Sequence, residues 1–149
     1  MRAVVQRVAS ASVTVSGQRV GQIANGLLVY LGVGMADTQA DFQYLLQKLV
    51  GLRIFADDAG HMNLSVKDVQ GSVLLVSQFT LYGDVRKGKR PSFSDAMLPD
   101  DAREVYTAFA DAIRNEGVVC EEGIFGAMMN VASVNDGPVT ILLDSKKMF

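Results

Sequence analysis

One histidine, one cysteine, no tryptophan and three prolines are spread over 149 residues. Each shortage closes a route to chemistry. The single cysteine, Cys120, permits neither an intramolecular disulfide nor a Cys-rich zinc site. The single histidine, His61, excludes a multi-histidine metal centre. It leaves a Ser-His-Asp or Cys-His-Asn machine open only with His61 as its base. An excess of one charge is also missing: the net charge is -2, so no global basic field draws the chain to nucleic acid. The longest apolar stretch, residues 26–35, contains glycines and is far too short to span a bilayer. The opening Met1-Arg2-Ala3-Val4-Val5-Gln6 has no apolar signal-peptide region, so a cytoplasmic protein with Cys120 reduced is expected.

What is present is ordinary in bulk. Hydrophobic residues make up 49% and charged residues 20%, and the length suits one domain, 1–149, with a core that needs no staples. The charge is uneven locally. Arg86, Lys87, Lys89 and Arg90 place four of the 14 cations in five residues, and any nucleic-acid contact would use that patch.

Hydrophobic periodicity outlines the fold. Residues 3–8, 11–15 and 19–23 are rich in β-branched side chains or alternate, with a turn at Ser16-Gly17-Gln18 and another at Asn25-Gly26. Residues 27–33 are apolar on both faces and predict a buried strand. Together they read as an antiparallel meander. Asp37 is placed to cap a helix whose stripe is Phe42, Leu45, Leu46, Leu49 and Val50. Residues 53–55 predict a short strand, Asp57-Asp58-Ala59-Gly60 a turn, and residues 73–77 a second buried strand. A helix starts at Pro99 with Asp100, Asp101 and Glu104 in its first turn. Its stripe is Val105, Phe109, Ala112 and Ile113, and Gly117 stops it. Strands at 128–134 and 139–143 close the chain, joined by a tight turn at Asn135-Asp136-Gly137-Pro138. The expected class is α+β: a mostly antiparallel, barrel-like sheet carrying two amphipathic helices in a single domain.

Common catalytic candidates read poorly. His61 sits beside a glycine turn and is expected at the surface. Cys120 precedes Glu121-Glu122, whose carboxylates raise rather than lower a thiol pKa. The acidic pairs have no metal-site spacing, and no glycine-rich phosphate loop is present. Two segments remain. Ser77-Gln78-Phe79-Thr80-Leu81 follows a buried strand, where polar residues either line a site or mark a strand leaving the core. Asn135-Asp136-Gly137-Pro138-Val139-Thr140 pairs a turn signal with a proline at a strand's first position.

These two segments, with Arg86-Lys87-Gly88-Lys89-Arg90-Pro91-Ser92-Phe93 between them, resemble the signature motifs and basic loop of the D-aminoacyl-tRNA deacylases. The resemblance runs from Met1 to Lys147 with both motifs complete. It implies a homodimeric hydrolase, with the site at the subunit interface. Such an enzyme removes D-amino acids, and glycine, wrongly esterified to tRNA. The implied pocket uses Ser77 and Gln78, with Phe125 and Met129 holding the terminal adenosine. The N–H groups of Phe79 and Thr80 would hold the oxyanion. The Thr80 hydroxyl is an alternative nucleophile that lacks a visible base. Gly137 and Pro138, joined by a cis peptide, would enter the partner's pocket and reject L-residues sterically. Arg86, Lys87, Lys89 and Arg90 would contact tRNA phosphates. No metal, cofactor, DNA or membrane partner is implied. A binding module without catalysis, a thiol- or His-dependent hydrolase and a deacylase of relaxed chirality are the competing readings.

Overall fold

A computed structural model describes residues 1–149. The chain opens with β1 (Arg2–Val15), one 14-residue strand where two were expected. A two-residue turn at Ser16 and Gly17, with φ of 49° and 79°, leads into β2 (Gln18–Ile23). Positive φ at both positions matches the right-handed twist of a hairpin. β3 (Gly26–Gly32) follows, but it does not pair with β2 as a meander requires. β2 and β3 lie end to end along one edge of β1, Ala11 facing Ile23 and Val8 facing Gly26.

Helix α1 (Gln39–Val50) is capped by Thr38, not Asp37. The Asp41 carboxylate accepts the Thr38 N–H and hydroxyl, both at 2.8 Å. Asp37 is drawn inward instead, accepting from the Gly34 N–H at 2.6 Å and the Tyr82 hydroxyl at 3.2 Å. A short hairpin, β4 (Phe55–Ala56) with β5 (Met62–Leu64), precedes β6 (Ser72–Ser77). β6 runs parallel to β3, and β7 (Val119–Glu122) runs parallel to β6, so the sheet is mixed rather than purely antiparallel. Helix α2 (Pro99–Asn115) has its proline in the first turn and ends before Gly117 at φ +83°.

The apolar runs of β3 and β6 are explained by burial on both faces. Leu27, Val29, Leu31, Val73 and Leu75 join Leu45, Leu49, Phe109 and Ile113 beneath the helices. Leu28, Leu74 and Val76 join Val8, Val13 and Ile23 inside the curled sheet. Each fully buried Leu contributes about 2 kcal/mol. Phe42 and Phe109 meet edge-on at 5.1 Å between the helices. The α2 stripe is turned by about one residue from the expected one. Ala102, Tyr106, Phe109, Ala110 and Ile113 are buried, and Val105 and Ala112 lie at its margin. The sheet nearly closes. At Gly21 of β2 a Cβ would stand 2.6 Å from the Glu122 carbonyl of β7, an approach only glycine allows.

The last strand departs most from expectation. β8 (Asn130–Asp144) is one 15-residue strand antiparallel to the whole of β1. Residues 135–138 form no hairpin turn, because the chain keeps its direction through them. Val8 faces Asn135 and Gln6 faces Thr140, so four residues of β8 stand against Arg7 alone. This wide bulge is held from below and at both ends. Arg7 donates to the Asp136 carbonyl at 3.1 Å and the Ile54 carbonyl at 2.5 Å. Asn135 accepts the Val139 N–H at 3.1 Å and donates to the Thr140 hydroxyl at 3.0 Å.

Candidate active site

Where β6 ends, its backbone turns away from the sheet. The Gln78 N–H still bonds the Leu31 carbonyl at 2.8 Å, and a 3-10 helical turn, Phe79–Tyr82, begins immediately. Arg2 braces the turn from behind, donating to the Leu81 carbonyl at 3.0 Å with its guanidinium 4.5 Å from the Tyr82 ring centre. The N–H groups of Leu81 and Gly83 bond back into the turn. Those of Phe79 and Thr80, the first two residues of the helical turn, have no partner among the chain's turn and loop hydrogen bonds. Two adjacent main-chain donors therefore stand open on a braced element.

The turn lies at the mouth of a cavity of about 710 Å³. Ser77, Gln78, Phe79, Thr80, Phe125 and Met129 all line it, so six of the expected site residues come together. The rest of the wall was not legible beforehand. Ala102 and Tyr106 of α2 face the cavity, and their i, i+4 spacing reads as ordinary core packing. Phe93 packs edge-on against Phe79 at 5.0 Å, and Met128 stands 90% exposed at the rim.

No Asp, Glu, His, Lys, Arg or Cys lines this cavity. Its one titratable group is Tyr106, whose hydroxyl donates to the Leu75 carbonyl at 2.8 Å. Burial, then the Glu122 charge, raises that phenol far above its ordinary pKa, so it stays neutral. The Thr80 hydroxyl accepts the Gln78 side-chain amide at 2.5 Å and has no base beside it. The cavity can bind an apolar or aromatic group and offer neutral donors to a developing oxyanion. It offers no proton acceptor of its own.

Other candidates lie elsewhere. His61 is exposed, and its N–H bonds the Asp57 carboxylate at 3.0 Å within the 57–61 turn. Cys120 is buried in β7, and burial pushes its thiol up to about 12, which makes it inert. Arg86, Lys87, Lys89 and Arg90 are all exposed. They sit on a loop pinned where Asp84 and Ser92 exchange backbone hydrogen bonds at 2.8 and 2.9 Å. Arg86 differs from the other three. It grips Asp84 at 2.8 Å and holds that carboxyl well below the usual carboxylate range, so two of its donors are already engaged.

Gly137 and Pro138 are exposed and do not line the cavity of their own chain. Their peptide bond is cis and Gly137 has φ +127°. A Cβ on Gly137 would lie 2.9 Å from both Arg7 Nη2 and Val139 Cγ2. Both signature segments are thus well ordered by local bonds, yet a single chain holds them apart.

Comparison with known proteins places the chain in a family. The profile of the D-Tyr-tRNA(Tyr) deacylase family matches residues 4–144. A D-aminoacyl-tRNA deacylase of Koribacter versatilis is 62% identical over 149 residues, all of both chains. A solved structure titled c-Myc DNA Unwinding Element Binding Protein superposes with a TM-score of 0.91 at 43% identity, covering 97% of this chain and 98% of that one. A second, titled as a probable eukaryotic D-amino acid tRNA deacylase, shares the fold with a TM-score of 0.78 at 18% identity, over 95% and 97% of the two chains.

Proposed function

Because the chain belongs to the D-Tyr-tRNA(Tyr) deacylase family, hydrolases that cleave the ester of D-aminoacyl-tRNA, we propose that it does so with main-chain groups and the substrate's own hydroxyl. The observation that carries this reading is a cavity with two unpartnered N–H donors and no ionisable side chain fit to act as base. An aminoacyl ester is already activated, so positioning counts for more than base strength. The terminal adenosine lies against Phe125 and Met129. Water attacks the ester carbon, and the negative charge collects on the carbonyl oxygen facing the N–H groups of Phe79 and Thr80. The ribose 2′-OH orients the water and relays its proton to the departing 3′ oxygen. The carbon–oxygen bond to the ribose then breaks, giving a free amino acid and a tRNA hydroxyl.

Selection against L-residues is assigned to the backbone of Gly137 and Pro138 from a second copy. Their exposure away from their own cavity supports this. So does the surface around them: Val134 and Leu142 of β8 are 59% and 57% exposed. Long exposed edge strands invite pairing. A rigid backbone wall excludes an L side chain whatever its chemistry, while D-residues and glycine pass. This makes the protein a proofreading factor for translation. No helix is long and apolar enough to cross a membrane.

D-Tyr-tRNA, L-Tyr-tRNA and Gly-tRNA assayed side by side test the reading. The D and glycyl esters are expected to be cleaved while the L ester survives, at a rate at least a hundredfold lower. Equal rates for D and L would remove the steric filter. Survival of all three esters would favour a second reading, binding without catalysis, suggested by the DNA-binding title of one similar structure.

Phosphate contacts of the tRNA body fall to the exposed loop. Replacing Lys87, Lys89 and Arg90 with alanine is expected to raise KM and flatten its salt dependence, lowering the log–log slope by about 2. Arg86→Ala should shift it less than Lys87→Ala does, because the Arg86 fork is already occupied by Asp84. An unchanged slope in the triple variant would move the tRNA contact elsewhere.

A further inference from the structure

We propose that Arg103 binds the phosphodiester on the 5′ side of the terminal nucleotide, an assignment that rests on Phe125 and Met129 holding the adenosine. Arg103 lies on the exposed side of α2, next to the cavity-lining Ala102. Its guanidinium carbon is 4.9 Å from the centre of the Phe125 ring. A Cβ built on Gly126, another cavity residue, would lie 4.0 Å from its Nη2. The cation therefore stands at the cavity rim, over the ring that receives the nucleoside.

Its position is set from the core outward. The buried Tyr106 hydroxyl is fixed to the Leu75 carbonyl at 2.8 Å. The Tyr106 ring packs on Phe125 at 5.7 Å, and Phe125 carries Arg103. The charge, by contrast, is left free. Arg2, Arg7, Arg86 and Arg114 are each paired with a carboxylate within 3.2 Å, and of the four arginines without such a pair, Arg19, Arg53, Arg90 and Arg103, only Arg103 stands against a cavity residue. Arg103 joins no ion pair and no hydrogen bond, although Asp100, Asp101 and Glu104 neighbour it along the helix.

An aromatic face attracts a guanidinium but accepts none of its five N–H donors in a conventional hydrogen bond. Those donors form a planar fork that matches phosphate oxygens. Any nucleotide seated against Phe125 carries a phosphate on its 5′ carbon, one sugar away. The rim cation and that obligatory anion are complementary in sign, geometry and place. Amino acids esterified to a bare nucleoside would lack this contact, so Arg103 selects for an ester at the end of a polynucleotide.

Non-hydrolysable 3′-amide analogues of D-alanyl-adenosine, with and without a 5′-phosphate, separate the contributions when used as inhibitors. In the unmodified protein the phosphate is expected to lower Ki five- to tenfold. In R103Q that gain should vanish, and in R103K part of it should return. On D-aminoacyl-tRNA, R103Q should raise KM with kcat within twofold and reduce the salt slope by about 0.7. A phosphate gain that is absent from the unmodified protein, or that survives R103Q, overturns the assignment. So does equal weakening of both analogues by R103Q, which would make Arg103 a packing residue for Phe125. Phe125→Ala tests the premise separately: it should weaken both analogues, and no effect on either would remove the adenosine reading itself.

Discussion

Replacing Gly137 with alanine is expected to cost deacylation of D-aminoacyl-tRNA at least a hundredfold and to lower the melting temperature as well. Two facts set the direction. Gly137 sits at φ +127°, a region L side chains rarely adopt. The added Cβ would also stand 2.9 Å from Arg7 Nη2. Arg7 cannot withdraw freely, because it donates to the carbonyls of Asp136 and Ile54 and pairs with the Asp136 carboxylate at 3.2 Å. Strain of this kind is worth about 2–3 kcal/mol, which is roughly 5–10 °C for a chain of this size. The activity loss should be far larger than that strain alone implies, because relieving the 2.9 Å contact displaces the bulge, and a displaced bulge would push the proposed wall into the space that a D-substrate occupies in a partner's pocket.

Mixing separates the two effects. Gly137→Ala protein combined with Phe79→Pro protein, which deletes one proposed oxyanion donor, should regain activity if each site draws on both chains. Random reassortment places one intact site in half of the dimers, about a quarter of the unmodified activity. No recovery, with hybrid dimers demonstrated by mass, would place the motif outside the site.

A tRNA ending in 2′-deoxyadenosine is expected to be cleaved a hundred- to a thousandfold more slowly than its ribose counterpart, while Thr80→Ala loses less than tenfold. The asymmetry follows from the cavity wall. A hydroxyl nucleophile needs a base to take its proton, and none of the cavity residues can serve. The Thr80 oxygen already accepts the Gln78 amide, so its removal mainly frees a side-chain contact. Its backbone N–H, the group given the catalytic role, is untouched by the alanine substitution. The 2′-OH is the hydroxyl vicinal to the ester in the substrate itself, and a positioned proton-transfer group is worth about 10²–10⁴ in rate. Single-turnover rates on the two tRNAs and the two proteins decide it. A large loss with Thr80→Ala and little with the deoxy substrate would make Thr80 the nucleophile.

Much of the fold was legible because burial writes itself into residue type. β3 and β6 had to be double-faced core strands, since nothing polar interrupts Leu27, Leu28 and Val29 or Val73, Leu74 and Leu75. α1 was readable from its stripe, but its cap was not. Asp37 and Thr38 are both capping residues, Asp the stronger by type, and a buried network drew Asp37 away. The Asn135-Asp136-Gly137-Pro138 segment misled for a similar reason. Its local chemistry is that of a turn, and only pairing with the distant β1 shows that the strand continues through a bulge.

The sequence by itself determined the class of fold, the exclusion of a disulfide, a Cys-rich zinc site and a multi-histidine centre, and the two segments that carry the family signature. Those follow from composition and from short-range pattern. The tertiary structure decided what those segments face. It joined the 77–81 segment to Phe125 and Met129 from beyond helix α2, left the Phe79 and Thr80 N–H groups open, and paired Arg86 with Asp84 while leaving Arg103 without an ion pair. No residue count records these things, because the proposed site of main-chain donors and a rim cation is defined by where atoms meet and not by which side chains are present.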